Sequence, residues 1–260
     1  MRTIVITGAT SGIGLATKTM LEKQGDLVIA LSRNAEGENS IKCDVSREED
    51  VLNAFNIIKE KYGEIDVLVN NSGFGMSGIT ELIPMEKIRK LFEVNVLGLI
   101  FTCKTFLPII KRGGKIINIG SAMGLFPLPF RGIYASSKAA VIMFSQCLRM
   151  ECADFGVHVS CVNPGDIKTN FTKNRAKNFE TNERYGKRIE TATNKIDSKE
   201  EKRMSPEKVA KVIVKLSNKK VPKPMVIVSG KYRVLYFVER IFPKNWFLKV
   251  DRKLYGGKYE

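Results

Sequence analysis

The sequence of 260 residues contains one histidine, and its five cysteines form no Cys-x-x-Cys pair. A single histidine excludes a two-histidine metal site, and we predict no metal centre. His158 lies in the alternating stretch VHVSCV, which favours a strand position over a serine–histidine triad. The odd number of cysteines, with no secretory signal at the start, indicates reduced thiols. Acid–base chemistry must therefore use other side chains.

Long apolar runs are also missing. A membrane-spanning helix needs about 20 consecutive apolar residues. The longest candidate, Val94–Ile110, is interrupted by Asn95, Lys104 and Pro108. At 43% hydrophobic and 8% aromatic residues, the composition is that of a globular chain. We expect a cytoplasmic protein without a membrane span.

Positive charge is concentrated near the carboxyl terminus. The chain has a net charge of +16, yet residues 1–167 hold 18 basic and 17 acidic side chains, against 25 and 10 in residues 168–260. The first two thirds of the chain are thus nearly neutral, and only the last third is basic. Because no nucleic-acid-binding motif accompanies this charge, we predict no nucleic-acid partner.

Short runs rich in Val and Ile alternate with segments in which apolar residues recur at helical spacing. The predicted strands are Thr3–Thr7, Leu27–Leu31, Val67–Val69, Lys115–Ile119, Val157–Val162 and Met225–Val228. The predicted helices are Ile13–Lys23, Val51–Lys61, Ile88–Phe106, Tyr134–Asp154 and Pro206–Leu216. This alternation predicts an α/β fold of the Rossmann type, a doubly wound parallel sheet of about seven strands with helices on both faces. We assign residues 1–230 to one domain, with residues 170–204 as a polar insertion and 231–260 as an extension.

A glycine-rich turn, Gly8–Gly14, follows the first predicted strand and opens a helix. Glycines there permit positive φ and a close approach of the backbone, while the helix N-terminus offers N–H groups to an anion. In a repeated βα context, this pattern predicts binding of a dinucleotide pyrophosphate.

The stretch TGATSGIG resembles the cofactor fingerprint of the short-chain dehydrogenase/reductase family, and further matches follow in that family's order over residues 1–230. They are Asp44-Val45, the stretch NNSG at Asn70–Gly73 with Ser72 in place of alanine, Asn95, Ser121, Tyr134 and Lys138 in YASSK, and Pro164–Thr169. The resemblance implies the catalytic set Asn95, Ser121, Tyr134 and Lys138. The resemblance, together with the residues at the end of the second strand, also implies a set of cofactor contacts. These come from Gly8, Thr10, Ser11, Gly12, Ile13, Gly14, Ser32, Arg33, Asp44, Val45, Asn71, Gly73, Tyr134, Lys138, Pro164, Gly165, Ile167 and Thr169.

The end of the second strand predicts NADP(H) as the cofactor. An NAD-selective site places a carboxylate there to bind the ribose 2′-hydroxyl. This chain has Ser32, Arg33 and Asn34 instead. A guanidinium forks onto phosphate oxygens, which a carboxylate would repel. The alternative is that Arg33 is a solvated surface charge.

Tyr134 and Lys138 are four residues apart on a predicted helix, so their side chains share one face. A tyrosine ordinarily titrates near pH 10, and both a neighbouring ammonium and an oxidised nicotinamide are expected to lower its pKa. The resemblance implies that Tyr134 exchanges a proton with the substrate oxygen, that Ser121 hydrogen-bonds this oxygen, and that Lys138 also holds the ribose. It further implies that Asn95 holds a water in a proton relay.

The substrate is less defined. The apolar stretch Met123–Phe130 and Phe74 favour a small hydrophobic alcohol or ketone, unless they only pack beneath the loop. Residues 170–204 resemble the family's substrate lid. The stretches Met123–Phe130 and Gly73–Met76 resemble the corresponding segments of the family's hydroxysteroid and retinol dehydrogenases. The resemblance therefore implies a hydroxysteroid dehydrogenase, including bile-acid-like substrates, with a long-chain, 3-ketoacyl or sphingoid ketone reductase at the membrane surface as the alternative. A non-catalytic NADP-sensing protein is the alternative of another class.

Residues 231–260 interleave aromatic and basic side chains at helical spacing. Such a segment suits peripheral contact with an anionic membrane. Two other interpretations stay open, a cover over the sheet edge and a subunit contact. Because the extension follows the last strand, it is expected to block the family's tetramer contact there, which favours a homodimer.

Overall fold

A computed structural model describes residues 1–168, 176–178, 180–197 and 203–255. A seven-stranded parallel sheet has the order β3-β2-β1-β4-β6-β7-β9, and β5 and β8 form a separate parallel pair. The strands are β1 Thr3–Thr7, β2 Leu27–Ser32, β3 Ser40–Lys42, β4 Ile65–Asn70, β5 Met76–Ser77, β6 Ile110–Ile119, β7 His158–Asn163, β8 Ala176–Lys177 and β9 Met225–Ile227. The helices are α1 Gly12–Glu22, α2 Glu48–Tyr62, α3 Met85–Phe92, α4 Gly98–Phe106, α5 Gly132–Glu151, α6 Arg188–Asp197, α7 Pro206–Asn218, α8 Gly230–Ile241 and α9 Lys244–Tyr255. The predicted doubly wound α/β fold is confirmed.

Both faces of the sheet are buried, which explains the nearly continuous apolar strands. In β1, Ile4 and Ile6 belong to one core with residues of α1 and α7. Val5 points to the opposite face and belongs to a second core with residues of α2, α4 and α5. All six predicted strands are present, together with the missed strand β3, which has only three residues at the sheet edge.

A continuous helix extends from Met85 to Ile109 and contains a π-helical turn over Glu93–Leu97 between α3 and α4. With 25 residues, this helix is long and apolar enough to span a membrane by length and composition alone, whereas the sequence predicts no membrane span. Its side chains Leu91, Leu99 and Phe106 are buried in the protein, so it is part of the core.

The two C-terminal helices, α8 and α9, follow β9 and were predicted only as a basic aromatic segment. Helix α8 contacts β9, and α9 contacts α6. Phe247 of α9 is buried in a small core with Ala122 and Phe126, which Tyr232 and Tyr236 of α8 complete. The hairpin α8–α9 therefore lies beside the segment that follows β6.

Candidate active site

The turn between β1 and α1 has the geometry that an anion requires. Gly8 and Gly12 have positive φ values of 65° and 53°, a region that favours glycine. Ser11 precedes the helix, and its side chain makes no capping hydrogen bond. Ser11, Gly12 and Ile13 all line a cavity, so the first N–H groups of α1 open towards it.

The end of β4 holds this turn in place. The Thr7 hydroxyl accepts hydrogen bonds from the N–H groups of Asn71 (2.9 Å) and Ser72 (3.0 Å). In return, the Asn71 side-chain amide donates to the carbonyls of Thr7 and Gly8. A Cβ on Gly14 would lie 2.2 Å from the Gly8 carbonyl oxygen, so only glycine fits there. Gly14 thus lies behind the turn and not on the cavity wall.

The cavity has a volume of about 580 Å³, which is within the range of small-molecule sites. Seventeen predicted site residues line it: Gly8, Thr10, Ser11, Gly12, Ile13, Ser32, Arg33, Asp44, Val45, Asn71, Gly73, Ser121, Tyr134, Lys138, Pro164, Gly165 and Ile167. Thr169, also predicted, is outside the described residues, as are residues 170–175, 179 and 198–202 of the predicted lid. Phe74 and Met123 also line it, and both belong to the apolar stretches predicted on the substrate side. The lining residues not predicted as site residues are Cys43, Ser72, Lys90, Val94, Ile119, Gly120, Arg131, Asp166 and Arg203.

One end of the cavity lies over β2. The hydroxyls of Ser32 and Thr10 are 3.1 Å apart, and the exposed Arg33 lies next to Ser32. Burial raises the pKa of the nearby Asp44 carboxyl, but hydrogen bonds from Ser46 and the charges of Lys90 and Arg33 outweigh it and hold the pKa below its usual value. This end thus combines cationic and hydroxyl donors with one ionised carboxylate.

Lys138 is at the other end, 5% exposed. Its Nζ donates a 2.9 Å hydrogen bond to the carbonyl of Ile119, the last residue of β6. Burial lowers the pKa of this ammonium to about 8. The lysine is therefore mostly charged at neutral pH and close to its titration range.

Asn95 lies behind the cavity wall. The π-helical turn carries its side chain, and such turns are frequent at functional sites. The amide accepts from the Phe74 N–H (3.0 Å) and donates to the Phe74 carbonyl (2.9 Å) and the Ser137 hydroxyl (3.3 Å). Gly73 fits between this amide and Lys138, because a Cβ there would lie 3.0 Å from Asn95 Oδ1 and 3.5 Å from Lys138 Nζ. Asn95 therefore positions the backbone that faces the lysine.

Ser121 follows β6 and is oriented by its neighbours. Its N–H donates to Asn163 Oδ1 (3.1 Å), and its hydroxyl accepts from the Met123 N–H (3.1 Å). The hydroxyl proton then remains to be donated into the cavity. Asn163 was not predicted, because a buried amide at a strand end has no motif of its own.

Tyr134 is 7% exposed and lies where the cavity becomes apolar. It packs in a small core with Met76, Ile83 and Leu91, and Phe74 and Met123 border this core. Arg131, one helical turn earlier, is also buried and lines the cavity, but its terminal nitrogens are shielded from solvent. A carbonyl group that meets Tyr134 would therefore bring an apolar skeleton with it.

Helix α8 supports the wall formed by the loop after β7. The Tyr232 hydroxyl lies 2.8 Å from Asp166 Oδ2 and donates to it. The Tyr232 ring covers Gly165, where a Cβ would lie 2.4 Å from the ring. The same ring packs beside Phe126, with ring centroids 6.1 Å apart. The hairpin α8–α9 thus reaches the cavity wall, a contact that no sequence motif predicts.

The residues present fit a dinucleotide. The open N-terminus of α1 suits the pyrophosphate, and the polar end over β2 suits a ribose that carries a 2′ substituent. Pro164, Gly165 and Ile167 line the end over β6 and β7, beside Lys138, Tyr134 and Ser121. Ligands of open α/β sheets bind in this region, outside the carboxyl ends of the strands.

Comparison with known proteins agrees with this geometry. Residues 2–180 match the family model described as short chain dehydrogenase. The chain is 35% identical to a 3-ketodihydrosphingosine reductase of Bacteroides thetaiotaomicron, over 90% of each chain. It is 31% identical to estradiol 17-beta-dehydrogenase 11 of Rattus norvegicus, over 99% of this chain and 85% of that protein. The crystal structure of a short-chain dehydrogenase from Streptomyces avermitilis superposes with a TM-score of 0.83, at 26% identity and 97% coverage of both chains.

The burial of Lys138 is expected to make stability depend on pH. Its folded pKa of about 8 lies below the ordinary value of 10.5, so between these values the unfolded chain binds more protons. Relative to Lys138→Met, the free energy of unfolding of the unmodified protein should therefore rise between about pH 8 and pH 10, and stay level below about pH 7. Urea unfolding of both proteins across this range measures the difference. A difference that does not change with pH would contradict the assignment.

Proposed function

The chain belongs to the short-chain dehydrogenase/reductase family, and from this premise we propose that it is an NADP(H)-dependent oxidoreductase that interconverts a secondary alcohol and a ketone on a hydrophobic substrate. Membership makes it an enzyme that acts on CH–OH groups with a nicotinamide cofactor. The observation that carries the proposal is that Ser121, Tyr134 and Lys138 line the same cavity as the glycine turn. The non-catalytic sensor considered from the sequence is set aside.

Tyr134 is the proposed acid and base. In the direction of reduction, its phenol donates a proton to the substrate oxygen as negative charge develops there, and the phenolate takes the proton back in oxidation. The Ser121 hydroxyl donates a hydrogen bond to the same oxygen. A nicotinamide held in this cavity would supply or accept the hydride. The protein contributes the position and the electrostatics of the reacting oxygen.

Lys138 and Asn95 are proposed to act around this phenol. The Lys138 ammonium favours the phenolate through its charge, and one of its N–H groups is already used on Ile119. The others are proposed to hold the cofactor ribose. Asn95 holds the Phe74 backbone with both ends of its amide. These contacts support a role for Asn95 in positioning the Phe74 backbone. The water relay that the resemblance implies for Asn95 stays a proposal.

The preference for NADP(H) rests on the end of β2. Arg33 lines the cavity there, and the strand ends in Ser32 rather than in an acid. A guanidinium can form charge-assisted hydrogen bonds with a 2′-phosphate, and the Ser32 hydroxyl adds a neutral donor. Neither group reproduces the carboxylate that binds the 2′-hydroxyl of NAD.

A hydroxysteroid, including a bile-acid-like one, is the leading substrate class. The apolar residues around Tyr134 suit a rigid apolar skeleton. The charges of Lys138 and Arg203 on the cavity wall disfavour a substrate with an ammonium group. Asp166 opposes them but is engaged by Tyr232. A long-chain keto compound is the second candidate, supported by the 35% identity to a 3-ketodihydrosphingosine reductase.

The oligomer is proposed to be a homodimer. Helix α8 begins three residues after β9, which is the edge strand of the sheet, and contacts that strand. A cover at this position supports the expected obstruction of a subunit contact through β9. A cytoplasmic location likewise stays a prediction.

Replacement of Tyr134 by phenylalanine removes the phenol oxygen while it preserves the ring. We expect kcat to fall by roughly 10²–10⁴-fold, the usual contribution of general acid–base catalysis, with NADPH affinity nearly unchanged. Steady-state assays of turnover measure kcat, and fluorescence titration measures the affinity for NADPH. Tyr62→Phe is the matched control and should stay active, because the Tyr62 hydroxyl donates to Asn39 and does not line the cavity. Full activity of the Tyr134 variant would refute the mechanism.

Arg33→Ala should raise KM for NADPH by roughly 10- to 100-fold, as expected for the loss of hydrogen bonds to a charged group, and change KM for NADH little. Arg47→Ala is the control, because Arg47 is an exposed arginine that pairs with Glu49 and Asp50 outside the cavity. Equal effects of Arg33→Ala on both cofactors would overturn the preference for NADP(H).

The substrate class is decided by a panel of hydroxysteroids, bile acids, retinoids and long-chain keto compounds, monitored by NADPH absorbance. We expect the highest kcat/KM for a neutral or carboxylate-bearing steroid, because the cavity wall combines apolar and cationic residues. A preference for an amino-bearing long-chain ketone would instead favour the second candidate.

A further inference from the structure

The outer face of helix α8 exposes an apolar stripe. Val234, Phe237 and Ile241 follow one another at helical spacing and are 66%, 66% and 62% exposed. Residues three and four apart share one face of a helix, so these side chains point in the same direction. The inner face of the same helix, with Tyr232 and Tyr236, packs on Phe126. The helix is thus held in place by one face and presents the other to the surroundings.

The stripe continues into the start of α9. Phe242 stacks on Trp246 with ring centroids 4.9 Å apart, and the two side chains are 46% and 48% exposed. Together, Val234, Phe237, Ile241, Phe242 and Trp246 form what we call the hairpin surface. Exposed apolar side chains that are contiguous, rather than scattered, mark an interaction site.

Positive charge borders the hairpin surface. Arg233 and Arg240 lie beside the apolar stripe on α8. Lys249 and Lys253 lie three and seven residues after Trp246, on the same face of α9. All four side chains are exposed, and the Arg240 guanidinium lies over the Tyr236 ring at 5.1 Å. Aromatic residues at the centre with Arg and Lys at the margin are typical of helices that lie in the headgroup region of a bilayer.

We propose that the hairpin surface docks onto an anionic lipid bilayer. Charge favours this occupant over a second copy of the chain, since a symmetric contact would bring two copies of the same positively charged margin together. An anionic headgroup layer instead complements them and accepts the aromatic side chains at its boundary with the acyl chains.

Docking by this face would bring the bilayer close to the cavity. Tyr232, on the inner face of α8, contacts Gly165 and Asp166 of the cavity wall. The docked face and the cavity are then separated by little more than one helix diameter, about 10 Å. A hydrophobic alcohol or ketone dissolved in the membrane could enter with little exposure to water. This consequence rests on the proposed function, whereas docking itself does not.

The test is co-sedimentation of the full chain with vesicles, without cofactor or substrate, so that failure of docking is distinguishable from failure of the proposed reaction. We expect binding to vesicles of equimolar phosphatidylcholine and phosphatidylglycerol, weak binding to phosphatidylcholine alone, and a decrease with added salt. Phe237→Ser/Trp246→Ser and Arg233→Glu/Arg240→Glu should each weaken binding at least about tenfold.

Matched controls make the same changes elsewhere. Leu52→Ser removes an exposed apolar side chain of α2, and Lys219→Glu/Lys220→Glu reverses the same number of charges after α7. Both should bind within about twofold of the unmodified protein, since their changes lie outside the hairpin surface. Thermal unfolding establishes that all variants are folded.

Four results would overturn the proposal. The first is no binding of the unmodified protein to the anionic vesicles. The second is an equal loss of binding in the controls. The third is a dimer, measured by sedimentation velocity, that Phe237→Ser/Trp246→Ser converts to a monomer, which would assign the surface to a second copy. Binding of a DNA duplex at the same salt, lost with Arg233→Glu/Arg240→Glu while vesicles do not bind, would also contradict it.

Discussion

The burial of one ammonium group constrains the whole catalytic end of the cavity. A buried charge is costly unless neighbouring groups compensate it. The carbonyl of Ile119 accepts one hydrogen bond from Lys138. The carboxyl end of β6 must therefore lie within hydrogen-bond distance of this ammonium group. A Cβ on Gly73 would lie 3.0 Å from Asn95 Oδ1 and 3.5 Å from Lys138 Nζ, so a side chain at this position would crowd both groups. The end of β4, the π-helical turn and α5 are therefore fixed relative to one another by the needs of this lysine.

The parallel sheet brings these groups together from distant parts of the chain. Its strands end at one edge, and Gly8, Asn71, Ser121 and Pro164 each follow a different strand at that edge. Polar side chains join the neighbouring ends, as Asn71 does between β4 and β1 and Asn163 between β7 and the start of the Ser121 loop. The cavity is thus a product of strand order, and its chemistry depends on which residue ends each strand.

Much of this arrangement could be predicted from the sequence, because the decisive features are local. The glycine turn, the Tyr134–Lys138 pair and the apolar strands each have a spacing that their backbone geometry requires. Strand β3 is too short for periodicity to reveal it. The π-helical turn reads as ordinary helix, since it changes hydrogen bonding and not residue type. The contacts of Asn163 and Tyr232 depend on tertiary packing between segments that no local pattern connects.

The contact between Tyr232 and Asp166 has a consequence for how the protein is made. Residues near the end of the chain support a loop that precedes them by more than sixty positions. During synthesis the central sheet can pair up to β7 while the hairpin α8–α9 is still inside the ribosome. The cavity therefore gains this wall only after the hairpin has been synthesised, and a stop codon before Tyr232 would leave the wall without its support.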